Sequence, residues 1–146
     1  MLTLQEISDR LEIQDLLARY ADAIDRRELD RLDALFTDDA VIDYTEFGGP
    51  RGDLSTIKAF LAGALALHAT HQHLVGSIVI DLHGDEADVR SICHNPMLLA
   101  PGPGTGEHGR RYFCGLWYRD SLVRTPAGWR IRERYEEKSY LWFPKE

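Results

Sequence analysis

The sequence predicts one α+β domain over residues 1–146, with N-terminal helices that cover one face of a long, curved, mostly antiparallel sheet. Two patterns predict this fold class. Apolar residues recur every three or four positions in the first half of the chain, and four long β-rich runs separated by turn residues fill the second half. The length of 146 residues and the 44% hydrophobic content are typical of one compact globular domain.

Three helices are predicted before the main sheet. The first carries an apolar stripe and begins with a capping box, because Thr3 stands three residues before Glu6. The predicted bounds are Leu4 to Ile24, Leu29 to Phe36, and a cap at Asp53 or Ser55 followed by a helix to about His68.

One strand is predicted between the second and third helices, and four follow the third. The first, Ala40 to Phe47, ends at two glycines and a proline. The other four are His71 to Leu82, Glu86 to Leu99, Arg110 to Val123 and Gly128 to Leu141. Short Gly- and Pro-containing segments separate these four runs, which therefore predict an antiparallel meander with one sheet face left to enclose a pocket.

Charge and cysteine content restrict the partners and the compartment. Seventeen Lys and Arg residues against 24 Asp and Glu give a formal net charge of −7, which opposes binding to nucleic acid or anionic membranes. Cys93 and Cys114 show no paired spacing, and no basic, hydrophobic signal segment opens the chain. These features predict a cytoplasmic protein that does not bind nucleic acid or membranes.

The strongest candidates for chemistry are Asp25, at the end of the first helix, and the segment His71-Gln72-His73 at the start of a strand. Alternate residues of a strand share a face, so His71 and His73 are expected side by side. They could bind a metal with further ligands. Alternatively, a carboxylate such as Asp25 could hold one imidazole in a fixed tautomer suited to proton abstraction, which is the interpretation preferred here.

Other polar and aromatic residues are candidates for a pocket that binds a small molecule. They combine hydrogen-bonding groups with apolar walls, as such pockets do. These residues are Tyr20, Tyr44, Asn95, Trp117, Tyr118 and Arg134.

Several segments, in this order of helices and strands, resemble a known family. They are Ile13 to Leu16, Tyr20, Ala23 to Asp25, Leu32 to Phe36 and Gly128 to Ile131. The chain resembles the SnoaL-like branch of the nuclear-transport-factor-2-like superfamily, and within it the lyases that include scytalone dehydratase, bile acid dehydratase and hexachlorocyclohexane dehydrochlorinase. The resemblance implies a cone-shaped α+β barrel around a pocket, and catalysis by a His-Asp dyad with no cofactor and no metal.

Residue by residue, the resemblance implies that Asp25 and His73 are the dyad. Tyr20 and Tyr44 then match tyrosines of the dehydratases, and Arg134 matches an arginine of the dehydrochlorinase. The expected activity is a dehydratase-type elimination on a small, apolar cyclic compound such as a polyketide, steroid or terpenoid. A ketosteroid-isomerase-like isomerase, a cyclase and a non-catalytic binding module remain open, because one fold hosts all of them.

The quaternary structure is also predicted from the sequence. The C-terminal segment Tyr140 to Phe143 is too apolar to remain in water, and a curved sheet exposes apolar residues on its outer side. A homodimer or homotrimer is expected.

Overall fold

A computed structural model describes residues 1–145 and confirms the predicted α+β class. The elements are α1 (Leu4–Asp25), β1 (Phe36–Asp43), β2 (Arg51–Gly52), α2 (Leu54–Ala66), β3 (His68–His71), β4 (Leu74–His83), β5 (Glu86–Leu99), β6 (Arg110–Thr125) and β7 (Gly128–Trp142), with 3₁₀ turns at Leu29–Ala34 and Thr45–Phe47. All of the strands belong to one seven-stranded sheet.

The sheet is mostly antiparallel, as predicted. Strands β4, β5, β6 and β7 pair consecutively as a meander, while β1 pairs with β7 in parallel. Strand β4 pairs with β5 between Glu86 and His94. Strand β3 pairs with β5 further along the chain, from Met97 to Leu99. The sheet curls around α1 and α2, which gives the cone-shaped half-barrel.

The N-terminal helix starts and ends as its sequence dictates. The Thr3 hydroxyl accepts a hydrogen bond from the Glu6 amide at 3.1 Å, and the Glu6 carboxylate accepts one from the Thr3 amide at 2.7 Å. At the other end Arg27 has a left-handed backbone, with φ of 60°. The Glu28 amide then bonds the carbonyl of Ala23 at 2.9 Å, and this Schellman closure ends α1 directly after Asp25.

Two predicted elements differ from the structure. The segment predicted as a second helix is a 3₁₀ turn, and Phe36 already belongs to β1, because the backbone of this short segment turns into the edge of β7. The first strand accordingly spans Phe36–Asp43 rather than Ala40 to Phe47. The run predicted as one strand from His71 to Leu82 divides into β3 and β4, with Gln72 and His73 in the connection.

The two faces of the sheet have different roles. The inner face, toward the helices, carries buried side chains such as Val89, Cys93 and Leu116. The outer face carries the alternate residues, among them Arg90, Arg119 and Glu137, which lie close enough for ion pairing. Both cysteines are free and buried. Among residues 1–145, neither helix has the length and the apolar character that crossing a bilayer requires.

Candidate functional site

The structure brings Asp25 and His73 together at the end of α1. The ring nitrogen Nδ1 of His73 lies 2.7 Å from Oδ1 of Asp25, and the backbone amide of His73 donates to Oδ2 at 3.0 Å. The same carboxylate therefore fixes both the ring and the backbone of His73. The connection between β3 and β4 positions this histidine, and its side chain is only 9% exposed.

His71 is a second imidazole on the same carboxylate. Its Nδ1 lies 3.1 Å from Oδ1 of Asp25, and its side chain is 2% exposed. The sequence predicts His71 beside His73, but His71 is not among the predicted catalytic residues. The two rings are nearly perpendicular, at 82°, because His71 ends a strand whereas His73 lies in the connection after it.

The contacts of Asp25 determine its protonation. Burial alone would raise the pKa of Asp25, but the ring and backbone hydrogen bonds of His73, with the bond from His71, lower it below the usual value. Asp25 is therefore an anion at neutral pH. Burial lowers the pKa of His71, against the opposing effect of Asp25, so a neutral His71 is favoured.

Asn95, on the inner face of β5, completes the surroundings of His73. Its Nδ2 lies 3.2 Å from Nε2 of His73. If Nδ1 of His73 donates to Asp25, then Nε2 carries the lone pair and accepts from the amide. The buried Oδ1 of Asn95 has no hydrogen-bond partner among residues 1–145. The tautomer with its proton on Nδ1, which a general base at Nε2 requires, therefore fits the contacts of the His73 ring with both Asp25 and Asn95.

Tyr20 and Tyr44 meet inside the cone, where their hydroxyl groups form a hydrogen bond with each other. Both side chains belong to the buried core. Burial raises the pKa of Tyr20 to about 12, with a smaller opposing effect of Arg134, and it raises the pKa of Tyr44 as well. These hydroxyls are therefore neutral hydrogen-bond donors over the physiological pH range.

Arg134 lies between two tyrosine rings. Its guanidinium carbon is 4.0 Å from the ring centroids of both Tyr20 and Tyr118. Its Nε and Nη2 donate to Asp120 at 2.7 and 2.8 Å, and both side chains of this ion pair are fully buried. The buried Nη1 of Arg134 and the hydroxyl of Tyr118 have no hydrogen-bond partner within the described chain.

Trp117 does not belong to this group, so its predicted role as a pocket residue is corrected. Consecutive strand residues point to opposite faces, and Tyr118 is the one that points inward. Trp117 lies on the outer face, where Arg90 covers its ring at 4.5 Å.

A cleft between α1 and β4 opens onto the dyad. Its volume is about 340 Å³, and its lining combines Asp25 and His73 with apolar residues such as Leu17, Val75 and Ile78. This cleft gives small molecules and solvent a route to the Asp25 carboxylate, whose side chain is 27% exposed.

Asp25, His71 and His73 are also the residues that could hold a metal ion, because one ligand atom from each lies within 4.8 Å of the others. Two imidazoles and one carboxylate form a set known from metal sites. The hydrogen-bond geometry also satisfies all three groups without an ion, since both Nδ1 atoms face Oδ1 at donor distance.

The chain belongs to the SnoaL-like domain family, whose pattern it matches over residues 5–135. An uncharacterized protein of Mycobacterium tuberculosis is 47% identical over 140 residues, which cover 96% of this chain and 92% of that protein. A Kribbella flavida protein of known structure has a TM-score of 0.83 and 28% identity, over 92% of this chain and 93% of that one.

Two further solved structures share the fold at lower identity. A putative scytalone dehydratase from Novosphingobium aromaticivorans has a TM-score of 0.80 and 19% identity, over 96% of this chain and 90% of that one. A hexachlorocyclohexane dehydrochlorinase from Novosphingobium barchaimii has a TM-score of 0.82 and 15% identity, over 97% and 93%. The resemblance predicted from the sequence, to this superfamily and its cone-shaped fold, is confirmed.

Proposed function

We propose that this protein is a cofactor-independent lyase that removes a proton from a small, apolar cyclic substrate and eliminates a hydroxyl group. The observation that carries the proposal is the contact of 2.7 Å between Nδ1 of His73 and Asp25, which makes Nε2 the basic nitrogen once the substrate replaces the Asn95 amide there. The solved dehydratase-like and dehydrochlorinase structures with the same fold support an elimination.

Each residue of the site has a proposed part. His73 accepts the proton at Nε2, while Asp25 holds the ring and stabilises the imidazolium that forms. Tyr20 and Tyr44 act as a pair: one hydroxyl donates to the other, and the second donates a hydrogen bond to the oxygen on which negative charge develops. Removing one such donor from a shielded site typically slows a reaction by about 10²- to 10³-fold. Asn95, Tyr118 and Arg134 bind the substrate.

The proton-transfer step can be tested before the natural substrate is known. The probe is 2-tetralone, an apolar bicyclic ketone with acidic hydrogens next to its carbonyl, and the readout is deuterium exchange in D₂O followed by proton NMR. A general base contributes about 10²- to 10⁴-fold. We expect His73→Gln to lose an enzymatic acceleration of this size, while the matched control His83→Gln, at an exposed histidine, keeps it.

The outcomes separate the alternative functions. Equal exchange with wild type and His73→Gln would contradict the proposed base. Binding of the ketone with no acceleration by wild type would favour a binding module. Stoichiometric zinc or iron in the purified protein, lost in His71→Gln, would favour metal chemistry at the same three residues.

We also propose a cytoplasmic location, consistent with the two free cysteines.

We further propose that the protein is a homodimer or homotrimer. Tyr140, Leu141 and Trp142 are 42%, 43% and 57% exposed at the end of β7, an apolar surface that a second subunit would cover. Light scattering of the purified protein measures the subunit number, and a monomer that persists at high concentration would contradict this proposal.

A further inference from the structure

Glu136, on β7, is a carboxyl group of the inner face that the dyad mechanism leaves unused. It pairs in register with Tyr118, whose side chain points inward. Its neighbours Tyr135 and Glu137 face the other way, since Arg119 approaches both of them on the outer face. Glu136 is only partly exposed, so it lines the interior at a place that solvent still reaches.

Asp120 and Glu136 both lie near the buried guanidinium of Arg134. Arg134 directs Nε and Nη2 to Asp120, and its Nη1 has no hydrogen-bond partner among residues 1–145. Glu136 therefore receives no hydrogen bond from Arg134. The ion pair is already neutral, so a second anion beside it would be an uncompensated charge in an apolar environment.

The groups that face Glu136 act on its charge in opposite directions. Arg134 and Lys138 are cations and favour the carboxylate, whereas Asp120 is an anion and favours the neutral acid. The uncharged titratable groups are Tyr20, Tyr44, Tyr118, Cys93 and Cys114. Burial is the largest influence and Asp120 adds to it, against Arg134, so the pKa of Glu136 is raised to about 8. At pH 7 its carboxyl group carries a proton.

We propose that Glu136 is a catalytic residue, the acid that donates a hydrogen bond to a substrate oxygen inside the cone and transfers its proton to the departing hydroxyl group. This inference rests on the proposed elimination. It defines the substrate class further, as an apolar ring compound with an oxygen substituent that reaches β7 while an adjacent C–H bond faces His73.

The step balances in protons and electrons. The electron pair of the C–H bond forms the new C=C bond as the proton moves to Nε2 of His73. The C–O bond breaks, and the hydroxyl group leaves as water with the proton of Glu136. Solvent then carries the proton of the imidazolium back to the Glu136 carboxylate, which restores both groups.

Acidity favours Glu136 over the tyrosines for this transfer. Burial raises the pKa of Tyr20 to about 12, so that phenol is roughly 10⁴ times less acidic than a carboxyl group whose pKa is about 8. The tyrosines can stabilise charge through hydrogen bonds, whereas Glu136 can also give up its proton near neutral pH.

The first test measures the protonation of Glu136 directly. In protein labelled with ¹³C at the glutamate carboxyl carbon, the signal that is absent from Glu136→Gln is followed by NMR from pH 4 to pH 10. We expect its midpoint near pH 8. A midpoint near the ordinary glutamate value of about 4.5 overturns the proposal.

The second test measures hydrogen-bond donation with 2-tetralone as the probe, because its carbonyl group accepts but does not donate. One pH unit above the pKa, about one carboxyl group in eleven retains its proton, so the Kd of wild type should rise about tenfold between pH 6 and pH 9. Glu136→Gln, which keeps an amide donor at every pH, should show a constant Kd. Glu137→Gln is the control on the outer face and should behave as wild type does.

Three outcomes of this binding test overturn the proposal. They are no binding of 2-tetralone by wild type, a wild-type Kd that does not change with pH, and the same pH dependence of the Kd in Glu136→Gln. None of these measurements needs turnover. His73→Gln should keep the pH-dependent binding while it loses deuterium exchange. If wild type shows that binding but accelerates no exchange, the elimination fails while Glu136 remains a hydrogen-bond donor.

Discussion

Asp120→Asn should destabilise the protein by an amount that depends strongly on pH. The substitution leaves Arg134 as a buried charge without its counter-ion, and both side chains of the pair are fully buried in the native protein. Breaking a buried ion pair in this way costs about 3–5 kcal/mol. At about pH 4, where Glu136 is protonated in both proteins, we expect a loss of about 4 kcal/mol in the free energy of unfolding.

Glu136 provides the pH dependence. In wild type its pKa is raised to about 8, so between about pH 4.5 and pH 8 the folded protein holds a proton that the unfolded chain has released. Wild-type stability therefore falls by about 1.4 kcal/mol per pH unit over this range as a result of this group. Without Asp120, the carboxylate of Glu136 becomes the counter-ion of Arg134 and this loss disappears.

The difference between the variant and wild type should then shrink by about 3 kcal/mol from pH 5.5 to pH 7.5. Urea unfolding followed by tryptophan fluorescence measures it, since Trp129 is buried in the native state. In the Glu136→Gln background, Asp120→Asn should cost the same at both pH values. An equal cost at both pH values in the wild-type background would refute the coupling between these two carboxyl groups.

Three further substitutions test local features by the same unfolding assay. Ser77 has a left-handed backbone with φ of 47° beside a bulge in β4. Ser77→Gly should therefore leave the stability unchanged or raise it by up to about 1 kcal/mol, whereas Ser77→Val should lower it. A rise in stability with Ser77→Val would show that the backbone at this position is not strained. Thr3→Ala removes the capping box and should cost about 1 kcal/mol, and no loss would mean that the first turn of α1 frays. Gly109→Ala should cost about 2 kcal/mol or more, because φ is 74° and a Cβ atom would lie 2.2 Å from the Leu99 carbonyl oxygen; an unchanged stability would show that the loop shifts freely.

The sequence predicts those parts of the fold that local chemistry determines. The capping box at Thr3 predicts the start of α1, and Gly84 predicts the hairpin between β4 and β5, where φ is 69°. The sequence predicts a helix where the structure has the 3₁₀ turn at Leu29–Ala34, because six residues with apolar spacing do not distinguish the two.

The inward direction of Glu136 could not be predicted, because it depends on a bulge. Leu122 pairs with Ile131, whereas the preceding Ser121 pairs with Glu133, so β7 contains one extra residue at this place. Simple alternation from Ile131 would point Glu133 and Tyr135 inward. The bulge reverses the pattern, so that Arg134 and Glu136 face the interior instead.

Asp25, the proposed partner of His73 in the dyad, also has a structural role. A carboxylate at the C-terminal end of a helix is unfavourable by about 0.3–1 kcal/mol, because the helix dipole is negative there. The contacts of Asp25 offset this cost, since two imidazole rings and the backbone amide of His73 all approach it. The helix end is further tied to β3 by Arg27, whose side chain donates to the His68 carbonyl at 2.7 Å.

This double role affects how variants of Asp25 are interpreted. Asp25→Ala would release the connection that carries His73 as well as remove the charge, so a loss of deuterium exchange in it would not identify an electrostatic role. Asp25→Asn keeps an acceptor for the His73 amide but cannot stabilise an imidazolium to the same extent. If the dyad acts as proposed, Asp25→Asn should retain the fold and the binding of 2-tetralone while exchange slows, and normal exchange in it would reduce Asp25 to a structural residue.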